Sequence, residues 1–378
     1  MSSQSLPKVV LTRASLPSPL LRQAHEAGLI NLVVNEDSEG GMGAPRDWLL
    51  TNARGAHALV VFLSDIIDTE LVDHAGPQLR VVSTMSVGVD HVDVDLLRER
   101  GIKLGYTPTV LNEAVAELSL NLALMSTRNV SRALRVVEGG RWGSNPWTPL
   151  AFCGPSLRGK TIGFYGFGAI AQSIALLLPA FHPRTILYTT SRPTPFDPAL
   201  SDERWKVLRQ GGWEYVAEMR AKAKMPEIEV RNVPDLLDLA SQVDVLFVMA
   251  SLGPSTKHAI NAEVLSKMRP TAHLVNTSRG PIVDTSALAD ALRQNKIAGA
   301  GLDVLEGEPN IPASHPLLAP DVRDRVVLLP HIGSATNETR QNMADWAARN
   351  ALGGIDLPRE KQGQDGEQKW TMPAVYGA

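Results

Sequence analysis

One cysteine, Cys153, is all that the 378 residues contain, so no intrachain disulfide can form. That is the expectation for a reducing compartment such as the cytoplasm. Cys153 by itself is not read as a catalytic thiol. No run of lysine and arginine stands out and the formal net charge is −3, which argues against a nucleic-acid partner. The apolar runs are short and broken by polar residues, so no membrane span is expected. The first residues, MSSQSLPKVVLT, lack the charged-then-apolar pattern of a secretory signal and the Arg-rich look of a transit peptide. The last, AVYGA, match no peroxisomal or retention signal. A soluble, cytoplasmic protein is the expectation.

What is present organises around TIGFYGFGAIAQSIALLL, residues 161–178. An alternating strand-like run leads into Gly166-Phe167-Gly168, followed by a run of helix formers. Strand, glycine turn and helix in that order is the setting a G-x-G-x-x-G/A dinucleotide fingerprint requires. Gly166 would make the turn. Gly168 would let backbone N–H groups, with Ala169 and Ile170, approach a pyrophosphate at the positive end of the helix. Ala171 fills the third small position. A plain βα unit with a glycine turn is the alternative.

The length suggests two domains. Short apolar runs at 8–11, 29–34, 58–63, 79–84 and 102–106 read as strands, with helices at 17–28, 70–74 and 112–125. Alternating strands and helices imply a parallel sheet with right-handed crossovers. Ser86-Val87-Gly88 follows directly on one of these strands; taken alone it reads first as an ordinary βα turn, and it could also offer backbone N–H groups to a small anion such as a carboxylate. Residues 139–154, rich in Gly, Pro and Trp, read as a loop suited either to an interface or to burial on the chain's own core. Beyond the fingerprint, strands are expected at 185–188, 243–250, 272–276, 299–304 and 326–329. Helices are expected at 262–268, 287–294 and 337–350. Residues 196–231 read as an insertion without a strand, pinned by Trp205, Trp213 and Tyr215. Residues 357–378 read as a loosely ordered tail.

A second absence concerns the cofactor. An NAD-binding unit usually ends its second strand with an acid that holds the ribose 2′-hydroxyl. Here the residues are Thr189-Thr190-Ser191-Arg192. An acid would repel a 2′-phosphate, whereas hydroxyls and a guanidinium would hold one. NADPH is therefore expected over NADH, the alternative being a solvent-facing arginine with NAD bound less specifically. Four polar residues, Arg279, Asp303, Glu308 and His331, fall at or just beyond strand ends. Reducing a 2-oxo acid requires a cation for the carboxylate and carbonyl, an acid for the developing alkoxide, and a carboxylate that orients and charges the acid. Arg279, His331 and Glu308 supply that set. No metal site is expected.

The blocks STMSVGVDH (83–91), GFGAIA (166–171), NTSRG (276–280), GLDVLEGEP (301–309) and PHIGSAT (330–336) make the resemblance specific. The chain resembles the D-isomer-specific 2-hydroxyacid dehydrogenases from about residue 9 to about residue 352. Within them it is most similar to those that reduce glyoxylate and hydroxypyruvate. The resemblance implies an α/β fold with two Rossmann-like domains. One is a doubly wound, parallel-sheet NAD(P)-binding domain at 118–331. The other is a smaller, discontinuous, flavodoxin-like substrate domain at 1–117 plus 332–378. It further implies an NADPH-dependent reduction of small 2-oxo acids with Arg279 on substrate, His331 as acid/base and Glu308 as its partner. Val87, Gly88 and Ser334 would lie on the substrate side. Gly166, Gly168, Ala169 and Ile170 would hold the pyrophosphate, and Thr190, Ser191, Arg192 and Pro193 the ribose phosphate. Ser251, Thr277, Asp303 and Gly333 would hold the rest of the cofactor. Trp147 matches a position that reaches a neighbouring subunit's active site, implying a homodimer. Two departures stand out: the 196–231 segment is longer than the family's usual link, and Arg192 is shifted by one from the usual basic position. Phosphoglycerate and branched 2-oxo-acid dehydrogenases share these motifs, and a dinucleotide-sensing corepressor on the same fold is the reading from another class.

Overall fold

The computed structural model describes residues 5–36, 43–145, 147–197, 199–355, 357 and 372–377. The chain divides into two compact units, Met1–Leu111 with Ser334–Ala378, and Asn112–Gly333. These compact units meet at 111/112 and 333/334, near the domain boundaries expected at 117/118 and 331/332. A single unbroken helix, Asn112–Thr127, spans the first expected boundary, and helical hydrogen bonding carries all of it into one unit. Gly333 N–H is bonded to the Asp303 carboxylate, so the 331–333 turn stays with the unit that holds Asp303.

The first unit comprises β1 Lys8–Leu11, α1 Leu20–Glu26, β2 Asn31–Val34, α2 Arg46–Ala53, β3 Ala58–Val61, α3 Thr69–Ala75, β4 Val81–Thr84, α4 Val94–Glu99 and β5 Lys103–Gly105. The five strands are all parallel, in the order β2-β1-β3-β4-β5, the flavodoxin-like arrangement. Both β3 and β4 are wholly buried, which is why they read as unbroken apolar runs rather than alternating ones. Asp68 and Asp93 cap α3 and α4, each accepting a backbone N–H at 3.0 Å, and so fix where those helices start. The helix expected at 17–28 is confined to Leu20–Glu26, with Pro19 as the residue before it.

The last helix among the described residues, Asn337–Gly354, returns to this unit and runs four residues past the expected end at 350. Ser83 Oγ donates to Ala347 O at 2.8 Å, and buried Asn350 donates to Tyr106 O at 2.9 Å. Of the tail expected to be loosely ordered, 358–371 lie outside the described residues. Residues 372–377 are docked. Val375 bridges Gly105, Tyr376 N–H donates to Leu104 O at 2.8 Å, and the Tyr376 ring meets Tyr106 edge-on at 5.3 Å.

The second unit holds α5 Asn112–Thr127, α6 Val130–Glu138, β6 Thr161–Tyr165, α7 Ala169–Leu177, β7 Thr185–Thr189, α8 Lys206–Gln210, α9 Trp213–Lys222 and β8 Glu229–Asn232. It continues with α10 Leu236–Gln242, β9 Val245–Val248, α11 Ala262–Lys267, β10 His273–Asn276, α12 Thr285–Arg293, β11 Gly299–Leu302 and β12 Val326–Leu328. Its seven parallel strands lie in the order β12-β11-β10-β9-β6-β7-β8. From β6 the chain builds outward through β7 and β8, then returns to lay β9 to β12 on the other side. The winding reverses between β6 and β9, and ligands of such sheets bind beyond the carboxyl ends of strands at that point.

Two expectations are corrected here. The 196–231 stretch is not strandless: it contains α8 and α9 and ends in the edge strand β8. The sequence EVRN carries charges at alternate positions because only half of an edge strand is covered, so no apolar run marks it. Trp205 and Trp213 are buried as expected, but Tyr215 is exposed. The loop expected at 139–154 is preceded by α6, a helix that buries none of its own residues.

β10 opens on His273, whose side chain is buried with Nδ1 2.8 Å from Ser126 Oγ. Burial pushes its pKa from the ordinary 6.5 down to about 4. Between those values the unfolded chain binds a proton that the folded chain does not. Stability is therefore complete above 6.5 and is lost as pH falls toward about 4, by up to roughly 3 kcal/mol for this group. Thermal midpoints measured between about pH 7 and about pH 5 should fall, and His273→Asn should flatten that slope. An unaltered slope in the variant would contradict the assignment.

Candidate active site

The glycine turn sits at the reversal point of the seven-stranded sheet. Gly166 follows β6 with φ +90°, and a Cβ added there would lie 2.7 Å from Ala250 N, just past β9. Only a residue without a side chain fits both the backbone angle and that approach. Gly166 N–H donates to Thr189 O at 2.9 Å, which ties the turn to the end of β7. At Gly168 an added Cβ would meet no heavy atom within 4 Å, so the face over the start of α7 is open. Ala169 and Ile170 are partly exposed there, while Ala171 is buried against the sheet. A turn seated on the sheet, an open glycine and a helix N-terminus are what a dinucleotide diphosphate needs, so the residues present fit one.

At the end of β7, Thr189 turns inward and donates to Pro234 O at 3.0 Å. The chain then folds into a compact turn in which Thr190 Oγ1 and Thr194 Oγ1 both donate to Arg192 O, at 2.8 and 3.0 Å. Ser191, Arg192 and Pro193 are exposed on it. No carboxylate stands among residues 189–193, where one would repel a 2′-phosphate.

Opposite polar machinery gathers at the ends of the three adjacent strands β10, β11 and β12. After β10, buried Asn276 closes the next turn on itself. Its Oδ1 accepts from Ser278 N–H and Ser278 Oγ, and its Nδ2 donates to Arg279 O at 2.9 Å. Gly280 then lies directly on the Leu305–Glu306 peptide, where a Cβ would fall 2.1 Å from the Leu305 carbonyl carbon. That contact sets Arg279 beside the loop carrying Glu308. The Arg279 guanidinium is part-buried, and Nη1 donates to Ser278 O at 2.8 Å.

Glu308 Oε2 accepts from Leu305 N–H at 2.9 Å, and its Oε1 lies 2.8 Å from His331 Nδ1. A carboxylate only accepts, so Nδ1 carries the proton and Nε2 is left for another partner. Both side chains remain about one-third exposed. His331 itself has φ +55°, an uncommon angle for a side-chain-bearing residue. Asp303, buried after β11, holds it there. Asp303 O accepts His331 N–H at 2.8 Å, Oδ1 accepts Ile332 N–H at 2.8 Å, and Oδ2 accepts Gly333 N–H at 2.7 Å. Burial raises the Asp303 pKa, and the Ile332 N–H bond and the nearby His331 oppose that rise. Gly333 has no room for a side chain larger than its hydrogen without pressing on Asp303 Oδ2, 3.1 Å from an added Cβ.

The remaining expected residues divide. Thr277 is buried with its hydroxyl 2.6 Å from Ser119 Oγ. Ser251 is exposed, its carbonyl accepting Thr256 Oγ1 at 2.7 Å. Trp147 is 96% exposed. In the other unit, Val87 and Gly88 are part-buried in a turn shaped by Ser86, whose Oγ donates to Gly88 O at 2.7 Å. Ser334 is part-buried there as well. The network thus joins Asp303, Glu308, His331 and Gly333 by direct bonds and sets Arg279 alongside. Sequence reasoning missed Asn276, Gly280 and the Leu305 N–H. The only signal for the first was an asparagine at a strand end followed by a serine, a pattern that favours local side-chain-to-backbone closure.

Known proteins are similar to this chain. Residues 120–211 and 206–333 match the model of the D-isomer specific 2-hydroxyacid dehydrogenase NAD binding domain. A glyoxylate reductase from Thermofilum pendens is 40% identical over 346 residues, 92% of this chain and 91% of that one. The human glyoxylate reductase/hydroxypyruvate reductase is 40% identical over 311 residues, covering 82% and 84%. Among solved structures, an NADPH-dependent glyoxylate/hydroxypyruvate reductase from Sinorhizobium meliloti, crystallised with NADP and malonate, matches with TM-score 0.70 and 32% identity over 92% of each chain. With the fingerprint turn at the reversal point and the arginine, glutamate and histidine in the segments that follow three neighbouring strands, the chain belongs to the D-isomer specific 2-hydroxyacid dehydrogenases, a family of NAD(P)-dependent oxidoreductases.

Proposed function

We propose that this chain reduces small 2-oxo acids, glyoxylate and hydroxypyruvate first among them, with NADPH as the preferred cofactor. The observation that carries the reading is the His331–Glu308 pair, 2.8 Å apart, with Glu308 anchored on the Leu305 N–H. The names of the T. pendens, human and S. meliloti relatives support the substrate class.

The dinucleotide, when bound, supplies a hydride to C2 of the substrate. Around that transfer each residue has a separate task. Gly166, Gly168, Ala169 and Ile170 receive the diphosphate, and Thr190, Ser191, Arg192 and Pro193 the ribose phosphate. Arg279 pairs with the substrate carboxylate and polarises its carbonyl, since a guanidinium fork matches a carboxylate in two bonds. Val87, Gly88, Ser334 and Trp147 are our further candidates for the substrate side. Protonated His331 gives its Nε2 proton to the carbonyl oxygen as negative charge develops there, and recovers a proton from water afterwards. Glu308 accepts the Nδ1 hydrogen bond and so fixes the ring's tautomer and orientation, leaving Nε2 for the substrate. Ser251, Thr277, Asp303 and Gly333 lie on the nicotinamide side, where Asp303 has the additional task of holding the His331 turn. The unit holding Val87 and Gly88 is read as the substrate-binding domain. The single cysteine fits a reducing compartment such as the cytoplasm.

We further propose a homodimer. α6 buries none of its residues, and Leu134, Val137, Trp142, Trp147 and Leu150 are all exposed on it and on the loop that follows. Large apolar side chains grouped in this way are characteristic of interfaces. Sedimentation at micromolar concentration should give the mass of two chains, and the mass of one chain would refute this.

The decisive comparison for the function is steady-state kinetics with glyoxylate, hydroxypyruvate and a branched 2-oxo acid, each with NADPH and NADH. The two small acids with NADPH should give the highest kcat/KM, with NADH lower by about tenfold or more, the scale of one lost charge-assisted contact. Equal rates with both cofactors would overturn the cofactor reading, and a preference for the branched acid would overturn the substrate reading.

A further inference from the structure

The segment from 199 to 222 has no place in the chemistry above, yet it is built onto the fingerprint helix. The two blocks that match the family model, 120–211 and 206–333, meet inside it. Gln172, directly after Ala171 on α7, is buried, and its amide is wholly committed. Nε2 donates to Phe167 O at 3.2 Å and to Arg204 O at 2.6 Å, and Oε1 accepts Leu208 N–H at 3.3 Å. Gly211 lies so close to α7 that an added Cβ would come within 2.2 Å of Leu176 Cδ1. Phe167, the middle residue of the glycine turn, stacks on Tyr188 at 4.4 Å, and buried Trp205 packs against Phe167, Tyr188 and Phe196.

From this base the segment reaches the 190–194 turn. Arg204 Nη1 donates to Thr194 Oγ1 at 2.8 Å, while Nη2 pairs with Asp202 at 2.6 Å. Thr194 Oγ1 in turn donates to Arg192 O, which also receives Thr190 Oγ1. Tyr188, from inside the same aromatic cluster, donates its hydroxyl to Thr194 O at 2.7 Å. Thr194 is thus gripped at its hydroxyl by Arg204 and at its carbonyl by Tyr188. Those two bonds fix the carbonyl of Arg192 and with it the backbone that presents Ser191 and Arg192.

We propose that the 199–222 segment is a brace for the 190–194 turn, and that Arg204 is a positioning residue that sets this turn's grip on the 2′-phosphate of the dinucleotide. The inference rests on the NADPH reading above. Without the brace the turn must be ordered at the moment of binding, and that ordering cost comes out of affinity for the group the turn holds. A bare 5′-phosphate, received at the glycine turn, does not draw on it to the same extent.

The test uses the full-length protein and two probes, 2′,5′-ADP and 5′-AMP, titrated by calorimetry into wild type, Arg204→Gln and Arg204→Lys. Arg204 is exposed, so both variants are expected to keep the wild-type thermal midpoint. Wild type should prefer 2′,5′-ADP, Arg204→Gln should lose about fivefold or more of that preference, and Arg204→Lys should recover part of it. In parallel, KM for NADPH should rise more than KM for NADH. A wild type that prefers 2′,5′-ADP together with an Arg204→Gln variant that prefers it equally would overturn the brace alone. A wild type that binds the two probes alike would overturn the NADPH reading and the brace with it.

Discussion

A buried carboxylate with both oxygens committed to backbone is the constraint on which the candidate active site depends. Asp303 takes the N–H groups of Ile332 and Gly333 on its side chain and that of His331 on its carbonyl. Three bonds from one residue hold a histidine in the left-handed region, a conformation worth on the order of 1 kcal/mol or more in strain. The ring so placed meets Glu308, itself fixed by Leu305 N–H. Neither partner of the pair is positioned by its own flexibility. Each is the end of a short chain of bonds that begins at a strand of the sheet, and a preorganised site of this kind needs little rearrangement when charge moves.

The same economy of approach governs the cofactor end. Gly166 lies on Ala250, and Gly280 on the Leu305 peptide, at separations no side chain could share. The first brings the fingerprint turn onto the sheet at the point where its winding reverses. The second draws Arg279 toward the Glu308 loop. Parallel strands buried on both faces supply the rigid platform for both, and the loops at their carboxyl ends carry the polar groups.

Much of this was legible in the sequence because it depends on local pattern. Buried parallel strands appear as apolar runs, and a glycine turn with a strand before it and a helix after it announces itself. What escaped depends on partners far along the chain. β8 is an edge strand with alternating charges and leaves no apolar signature. α6 buries nothing of its own, although its apolar and charged residues separate onto opposite faces, a pattern the sequence did carry. Gly333, at the edge of its unit, is bonded to a carboxylate thirty residues earlier, a link no local pattern encodes. Gln172 and Asn276 look like ordinary polar residues until the backbone groups they satisfy are brought to them. The polar residues of the proposed site were easier to pick out than the residues that hold them in place.

The central claim is that His331 is the proton donor and that its role is separable from binding. Replacing it with alanine and measuring both hydroxypyruvate turnover and NADPH affinity tests this most directly. The account predicts a fall in kcat of at least about a hundredfold, the usual scale for losing a general acid, with NADPH binding still measurable by fluorescence. A His331→Ala enzyme that keeps most of its turnover would contradict it.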